Sequence, residues 1–317
     1  MYVLYISDYK RILGYLMKKI FSVSQRGIFF GALSVTVISV ILRTLSMLLF
    51  FDTDVGYYSI GAVLPVISNI FLAVGVVGFL ALAIWAFGKK DQEIVCEKPS
   101  PLQAVGAVLG FCMSLFVAAS TLQAAFAGDR FSSLCSALAF TGSLYFPCAY
   151  FRLGTVWKFI TGFSLIARIT CMMGVYYFNQ NVTMNAPDKT IFCIASIFGM
   201  WIVACEIKAL MGVVRPWIFI TAATCASAIC STASLPSIIK FHADKDFLGA
   251  GYAEYWLLFA LSIYALGALC SYSVKAVNTE NVEADHTEDN GTTLENDIIE
   301  AIEDNETKDD APENENT

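Results

Sequence analysis

The sequence predicts an all-α integral membrane protein with eight transmembrane helices, and three observations predict it. Hydrophobic residues make up 57% of the 317-residue chain and charged residues only 15%, with mean hydropathy +0.63; a water-soluble domain carries about 25% charged residues. The apolar residues form runs near or above the ~20 residues that cross ~30 Å of hydrocarbon. Lys and Arg crowd into alternate connections between those runs. This composition excludes a soluble enzyme, a nucleic-acid binder and a disulfide-framed secreted scaffold.

Residues 2–20 read as an amphipathic helix lying in the headgroup layer. Tyr2, Tyr5, Ile6, Tyr9, Ile12, Leu13, Leu16 and Ile20 share one face, with Ser7, Asp8, Arg11, Lys18 and Lys19 opposite. Eight apolar spans follow at 28–51, 60–87, 101–127, 132–151, 158–178, 190–208, 216–239 and 253–274. The fourth and fifth must be parted by a tight turn near Arg152-Leu153-Gly154. Pro65, Pro147 and Pro236 lie within or near spans two, four and seven, where each frees a backbone carbonyl one turn earlier.

Charge divides the chain. Residues 276–317 hold 15 Asp and Glu and one Lys, a net of −14, so residues 1–275 carry a net of +7. An acidic tail without aromatic residues cannot bury enough apolar surface to offset chain entropy and is expected to be disordered. Within it, Leu294, Ile298, Ile299 and Ile302 recur at helical spacing, which suits a short helix folding on a basic partner. Four regions result: the interfacial helix 1–27, membrane repeats 28–151 and 152–275, and the tail 276–317.

Thirteen basic residues flank the spans on one side: Lys10, Arg11, Lys18, Lys19, Arg26, Lys89, Lys90, Lys98, Arg152, Lys158, Lys208, Arg215 and Lys275. Four flank them on the other: Arg130, Lys189, Lys240 and Lys245. The positive-inside rule places the thirteen, and both termini, in the cytoplasm of a cell-membrane protein.

A four-plus-four internal repeat is expected from ordered matches. Ser39-Val-Ile-Leu-Arg43-Thr-Leu-Ser-Met47 aligns with Ser164-Leu-Ile-Ala-Arg168-Ile-Thr-Cys-Met172. Ile70-Phe71 aligns with Ile197-Phe198, and Pro101 and Asp129-Arg130 align with Pro216 and Asp244-Lys245. Two like-oriented units imply a pseudo-twofold axis along the membrane normal.

Arg43 and Arg168 are the positions most suggestive of function, because a charge at mid-bilayer costs at least ~2.5 kcal/mol. Helical side chains lean toward the helix N-terminus, so both guanidiniums are expected to point deeper, toward Ser39 and Ser164. Asp52, Asp54, Asp129, Asp188, Asp244 and Glu254 read as rim residues and Glu206 as near a span end, leaving the arginines without a buried carboxylate. Two readings stay open. The arginines, with Ser39, Ser164 and Asn69, form a substrate site for a small anion or lipid headgroup, or they brace the bundle through serines, Asn69 and carbonyls.

Helices three and seven carry small or polar stripes, Gln103-Gly106-Gly110-Ser114-Ala118-Thr121 and Thr224-Ser227-Ser231-Ser234, which serve close packing or line a cavity. The ten cysteines show no CxxC spacing and read as small apolar packing residues. Protease, hydrolase and nucleotide-loop motifs do not occur, His242 is a lone rim histidine, and no cofactor or metal is called for. The expected function is a transporter- or permease-like protein in contact with the lipid bilayer, not an enzyme. The alternative is a non-transporting scaffold or regulatory subunit.

Overall fold

The computed structural model describes residues 25–53, 55–88, 92–96, 99–180, 182, 186–212, 214–244 and 249–276. The expected interfacial helix at 2–20, and the tail beyond Ala276 with its short helix, lie outside them. Among the described residues, helices dominate: α1 (Gln25–Phe50), α2 (Val63–Phe87), α3 (Pro101–Phe126), α4 (Arg130–Ser143), α5 (Tyr145–Tyr150), α6 (Thr155–Tyr177), α7 (Pro187–Leu210), α8 (Pro216–Ala243) and α9 (Tyr252–Ser271). Seven of them, all but α4 and α5, are long and apolar enough to cross a membrane. The chain is an all-α, multi-pass membrane protein.

Two small sheets were not foreseen from the apolar runs. β1 (Phe51–Asp52) pairs antiparallel with β2 (Tyr57–Tyr58), and β3 (Gln92–Cys96) pairs with β4 (Tyr272–Ala276).

The fourth apolar run is two helices, α4 and α5, separated by Leu144 alone. Pro147 has no N–H to donate to the Ser143 carbonyl. The Leu144 N–H bonds the Thr141 carbonyl at 3.3 Å, a three-residue reach that tightens the turn. α4 starts cleanly because the Asp129 carboxylate caps it, accepting from the N–H groups of Phe131 and Ser132 at 3.0 and 3.3 Å. After α5 the chain reverses at Arg152, which takes the left-handed conformation (φ 54°), before α6 opens after Gly154. Pro236, by contrast, lies inside the unbroken α8.

α8 is the centre of the bundle, buried along nearly its whole length and enclosed by α1, α2, α7 and α9. Its Ala, Ser, Thr and Cys residues permit that crowding. Most of its hydroxyls bond to the helix's own carbonyls: Thr224 to Ile220 at 2.8 Å, Thr232 to Ala228 at 2.6 Å, Ser234 to Cys230 at 2.6 Å. The polar stripe of α8 therefore serves packing, as Ser231 does by bonding Ser262 of α9 at 2.7 Å.

α3 is less enclosed and packs mainly on α9 and α4. Here glycine is required. A Cβ on Gly106 would lie 2.5 Å from the Tyr264 nitrogen, and one on Gly267 would lie 2.3 Å from the Gln103 nitrogen. α2 lies at the opposite extreme, with much of its apolar surface outward, as suits a lipid-facing helix.

Candidate functional site: two buried polar centres

Polar side chains gather at the two ends of the bundle. At the first, Glu206 near the C-terminus of α7 is 2% exposed and surrounded by tyrosines. Tyr145 donates to its Oε2, Tyr264 lies 2.7 and 2.8 Å from its two oxygens, and Tyr272 donates to Oε1 at 3.2 Å. Gln103 of α3 reaches the Tyr264 hydroxyl at 3.2 Å. Lys158 at the start of α6 is also buried, and its charge acts on Glu206. The carboxylate is fully hydrogen-bonded and has a countercharge.

At the other end, Asp188 in the first turn of α7 is also 2% exposed. Its Oδ1 accepts from Ser237 of α8 at 2.8 Å, and its Oδ2 accepts from Tyr176 of α6 at 3.1 Å and from Tyr255 of α9. Three hydroxyls thus complete it. Arg43 of α1 approaches only to 3.9 Å, Nη2 to Oδ1. That is beyond hydrogen-bonding distance.

Arg43 is therefore left short. It is 2% exposed, yet Nε and Nη2 have no hydrogen-bond partner, and neither do the buried hydroxyls of Ser39 and Thr36 or the hydroxyl of Tyr58. Ser39 and Thr36 lie one and two turns before Arg43 along α1, so the three side chains share one face. Tyr58, in β2 beyond the end of α1, feels the charges of both Arg43 and Asp188, and burial raises its pKa. Nε and Nη2 form one edge of the planar guanidinium, the edge that takes two oxygens side-on. The result is a run of buried donors lacking an acceptor.

These centres correct two expectations. The arginines do have carboxylate neighbours: Asp188 for Arg43, and Glu254 at 3.3 Å for Arg168. Both carboxylates belong to first turns of helices, which a linear reading assigns to the rim, yet Asp188 is buried and the Glu254 side chain is only 22% exposed. The guanidiniums also do not follow the expected lean toward Ser39 and Ser164. Each has an Nη2 directed to a carboxylate at the end where its own helix terminates, because attraction in a low-dielectric interior outweighs the Cα–Cβ direction.

The predicted site residues do not converge on one cavity. Arg168 donates through Nη2 to Glu254 of α9, whose other oxygen accepts from the Gly251 N–H at 2.5 Å, while the buried Nε of Arg168, like that of Arg43, has no hydrogen-bond partner. Ser164 bonds the Ile160 carbonyl at 2.9 Å within its own helix. Asn69 is exposed on α2 and braces neither arginine. The larger grooves run along α3 and α4, such as one of about 540 Å³ between Leu115, Leu122, Ser136 and Phe140, and neither arginine lines them. His242 pairs with the Tyr252 hydroxyl at 3.0 Å.

Sequence reasoning passed over the tyrosines. Tyr145, Tyr176, Tyr255, Tyr264 and Tyr272 all stand in or beside apolar spans, and a buried phenol requires a polar partner. That requirement was the available signal for Asp188 and Glu206. No protein-family model matches the chain, and comparison with curated proteins and with solved structures gives no match either.

Proposed function

We propose that this protein is a permease-like membrane protein that handles a small anionic solute at Arg43. The observation that carries the reading is the unsatisfied, buried guanidinium edge of Arg43, on the α1 face that also carries the unpartnered hydroxyls of Ser39 and Thr36. A buried donor without an acceptor costs about 1–3 kcal/mol, more when charged. A ligand oxygen removes that cost, and intramembrane charges of this kind mark solute pathways by default. Arg168, held by Glu254, is assigned a bracing part in this reading.

The accompanying architecture is eight crossings, with α4 and α5 together making the fourth as a broken helix. Interrupted helices are a recurrent means of placing polar backbone at depth in transporters. Both termini lie in the cytoplasm on this reading, from the distribution of Lys and Arg. Cysteine introduced at 183 should label from outside in intact cells and cysteine at 310 should not; the reverse pattern inverts the topology. The four-plus-four repeat is proposed as ancestry. Support comes from the pairs α1–α2 and α6–α7, and α3–α4 and α8–α9, which pack as corresponding neighbours, although α8 is enclosed and α3 is not.

A second reading, a non-transporting scaffold, is favoured by the Glu206 centre and the Arg168–Glu254 pair, which are built as braces. Uptake into liposomes separates the two. Purified protein should accumulate at least one of chloride, nitrate, phosphate and acetate, and Arg43→Ala should lower that uptake at least about tenfold, the effect of losing one ~1.4 kcal/mol contact. Unchanged uptake in Arg43→Ala would leave the scaffold reading standing.

A further inference from the structure

We propose that Cys135 of α4 and Cys171 of α6 are a redox-active pair, which closes into a disulfide between the two helices when a neutral small-molecule disulfide reaches Cys171.

The pairing follows from how α4 and α6 meet. The two helices pack on each other, and their backbones touch at Gly142, where an added Cβ would lie 2.9 Å from the Leu165 Cα. Cys135 stands seven residues before Gly142, and Cys171 six residues after Leu165. In an antiparallel pair these lie about 10 and 9 Å from that contact, at one level. There the two cysteine side chains are in hydrogen-bond contact. A disulfide requires Cα atoms within about 7 Å. Helices held apart by large side chains do not meet that requirement, and Gly142 removes the separation here.

Exposure assigns the roles. Both thiols are free; Cys135 is buried at 3% exposure and Cys171 is half-buried. Cys171 therefore meets the reagent, and Cys135 resolves the intermediate. Arg168 stands three residues before Cys171, on the same side of α6, and its charge acts on Cys135. Burial works against the Cys135 thiolate, and the guanidinium works for it. Contact with Cys171 offsets the burial, because groups held together react at high effective concentration.

The chemistry is thiol–disulfide exchange in two steps. The Cys171 thiolate attacks one sulfur of the reagent, forming a mixed disulfide and expelling one reagent thiol. The Cys135 sulfur then attacks the Cys171 sulfur, and the second reagent thiol leaves. The protein pair gives up two electrons and two protons, and the reagent takes them up as two thiols. The product ties the first half of the broken fourth apolar run to α6. Two cysteines that spacing alone reads as packing residues thus acquire a reaction.

The test uses the full-length protein, reduced and then freed of reductant in detergent micelles, with 4,4′-dithiodipyridine as the reagent. After the remaining thiols are alkylated, mass spectrometry of the digested chain reports linked peptides and pyridyl adducts. The Cys135–Cys171 link should be at least about tenfold more abundant than any other pair, with no adduct left on either residue. Cys112 and Cys270 are exposed and should carry adducts, which shows that the reagent reached the protein. In Cys135→Ser the adduct on Cys171 should persist. In Cys171→Ser, Cys135 should stay largely unmodified.

Adducts on Cys112 and Cys270 without the Cys135–Cys171 link overturn the proposal. So does an adduct that persists on Cys171 in wild type. The wild-type map needs no variant, so it decides the point even if a serine variant misfolds. If Cys135 in Cys171→Ser is modified as fast as Cys171 in Cys135→Ser, the assignment of Cys171 as the entry thiol is overturned.

Discussion

The Glu206 centre and the Asp188 centre are built from the same materials to opposite ends. Each is a buried carboxylate on α7, each is ringed by tyrosines from neighbouring elements, and each has a cation whose charge acts on it. Around Glu206 the donors and acceptors balance. Around Asp188 the carboxylate is satisfied by hydroxyls alone, and the arginine that should complete the pair is left over. A balanced polar network fixes a unique packing, whereas a surplus donor in a dry interior is unfavourable unless something else completes it. The comparison teaches that burial of charge alone does not distinguish a brace from a site; the hydrogen-bond inventory does.

The largest expected effect breaks the balanced centre. Glu206→Ala strands three buried phenols, and should cost about 3–5 kcal/mol of unfolding free energy in micelles. Glu206→Gln keeps an acceptor and should cost clearly less. If the two cost the same, the tyrosine bonds are not what stabilises this end.

Arg168→Met comes next. It removes the partner of a carboxylate that is about one-fifth exposed at its side chain, so a loss of about 1–2 kcal/mol is expected after allowing for solvent screening. Denaturant unfolding of the purified variant measures it.

Arg43→Met sharpens the contrast. Neither Nε nor Nη2 has a hydrogen bond to lose, and Asp188 keeps three donors, so stability should change by no more than about 1 kcal/mol in either direction. Anion uptake into liposomes should fall all the same. A destabilisation as large as that of Glu206→Ala would make Arg43–Asp188 a structural pair and remove the distinction between the two ends.

The smallest effect lies outside both centres. The side-chain bond from Ser132 and the N–H groups of α4 lower the Asp129 pKa below its usual value. A carboxylate with a depressed folded pKa contributes stability that is present above the unfolded value of about 3.9 and is lost as pH falls through the folded one. Acidification below that value should therefore destabilise wild type slightly more than Asp129→Asn. Parallel pH profiles of the two proteins would remove this cap from consideration.

The long helices were legible because apolar runs of that length have one outcome in a membrane, and the turn at Arg152-Leu153-Gly154 had to exist for two adjacent runs to reverse. The break at Leu144 was harder to read, since Pro147 is compatible with either a kink or an interruption. Of the site, Arg43 with Ser39 was legible from the cost of a charge in an apolar segment. Asp188 and Glu254 were not, because linear position near a span end is silent about what folds over it. Asn69 misled for the complementary reason: a polar residue in an apolar helix implies a partner only when that face turns inward, and α2 turns it outward. Tyrosine hides best, since the same ring suits a membrane interface and a buried acid.

The self-bonded hydroxyls of α8 also bear on how the protein is made. This helix emerges from the ribosome before α9, yet it ends up enclosed by helices on both sides of it in the chain. During synthesis it meets lipid with some of its final neighbours still missing. Because Thr224, Thr232 and Ser234 already donate to carbonyls one turn back, they need no neighbour to be tolerated in hydrocarbon. Its insertion can thus precede its packing, and α9, which follows it in the chain, later carries Ser262 to Ser231 and Tyr255 to Asp188.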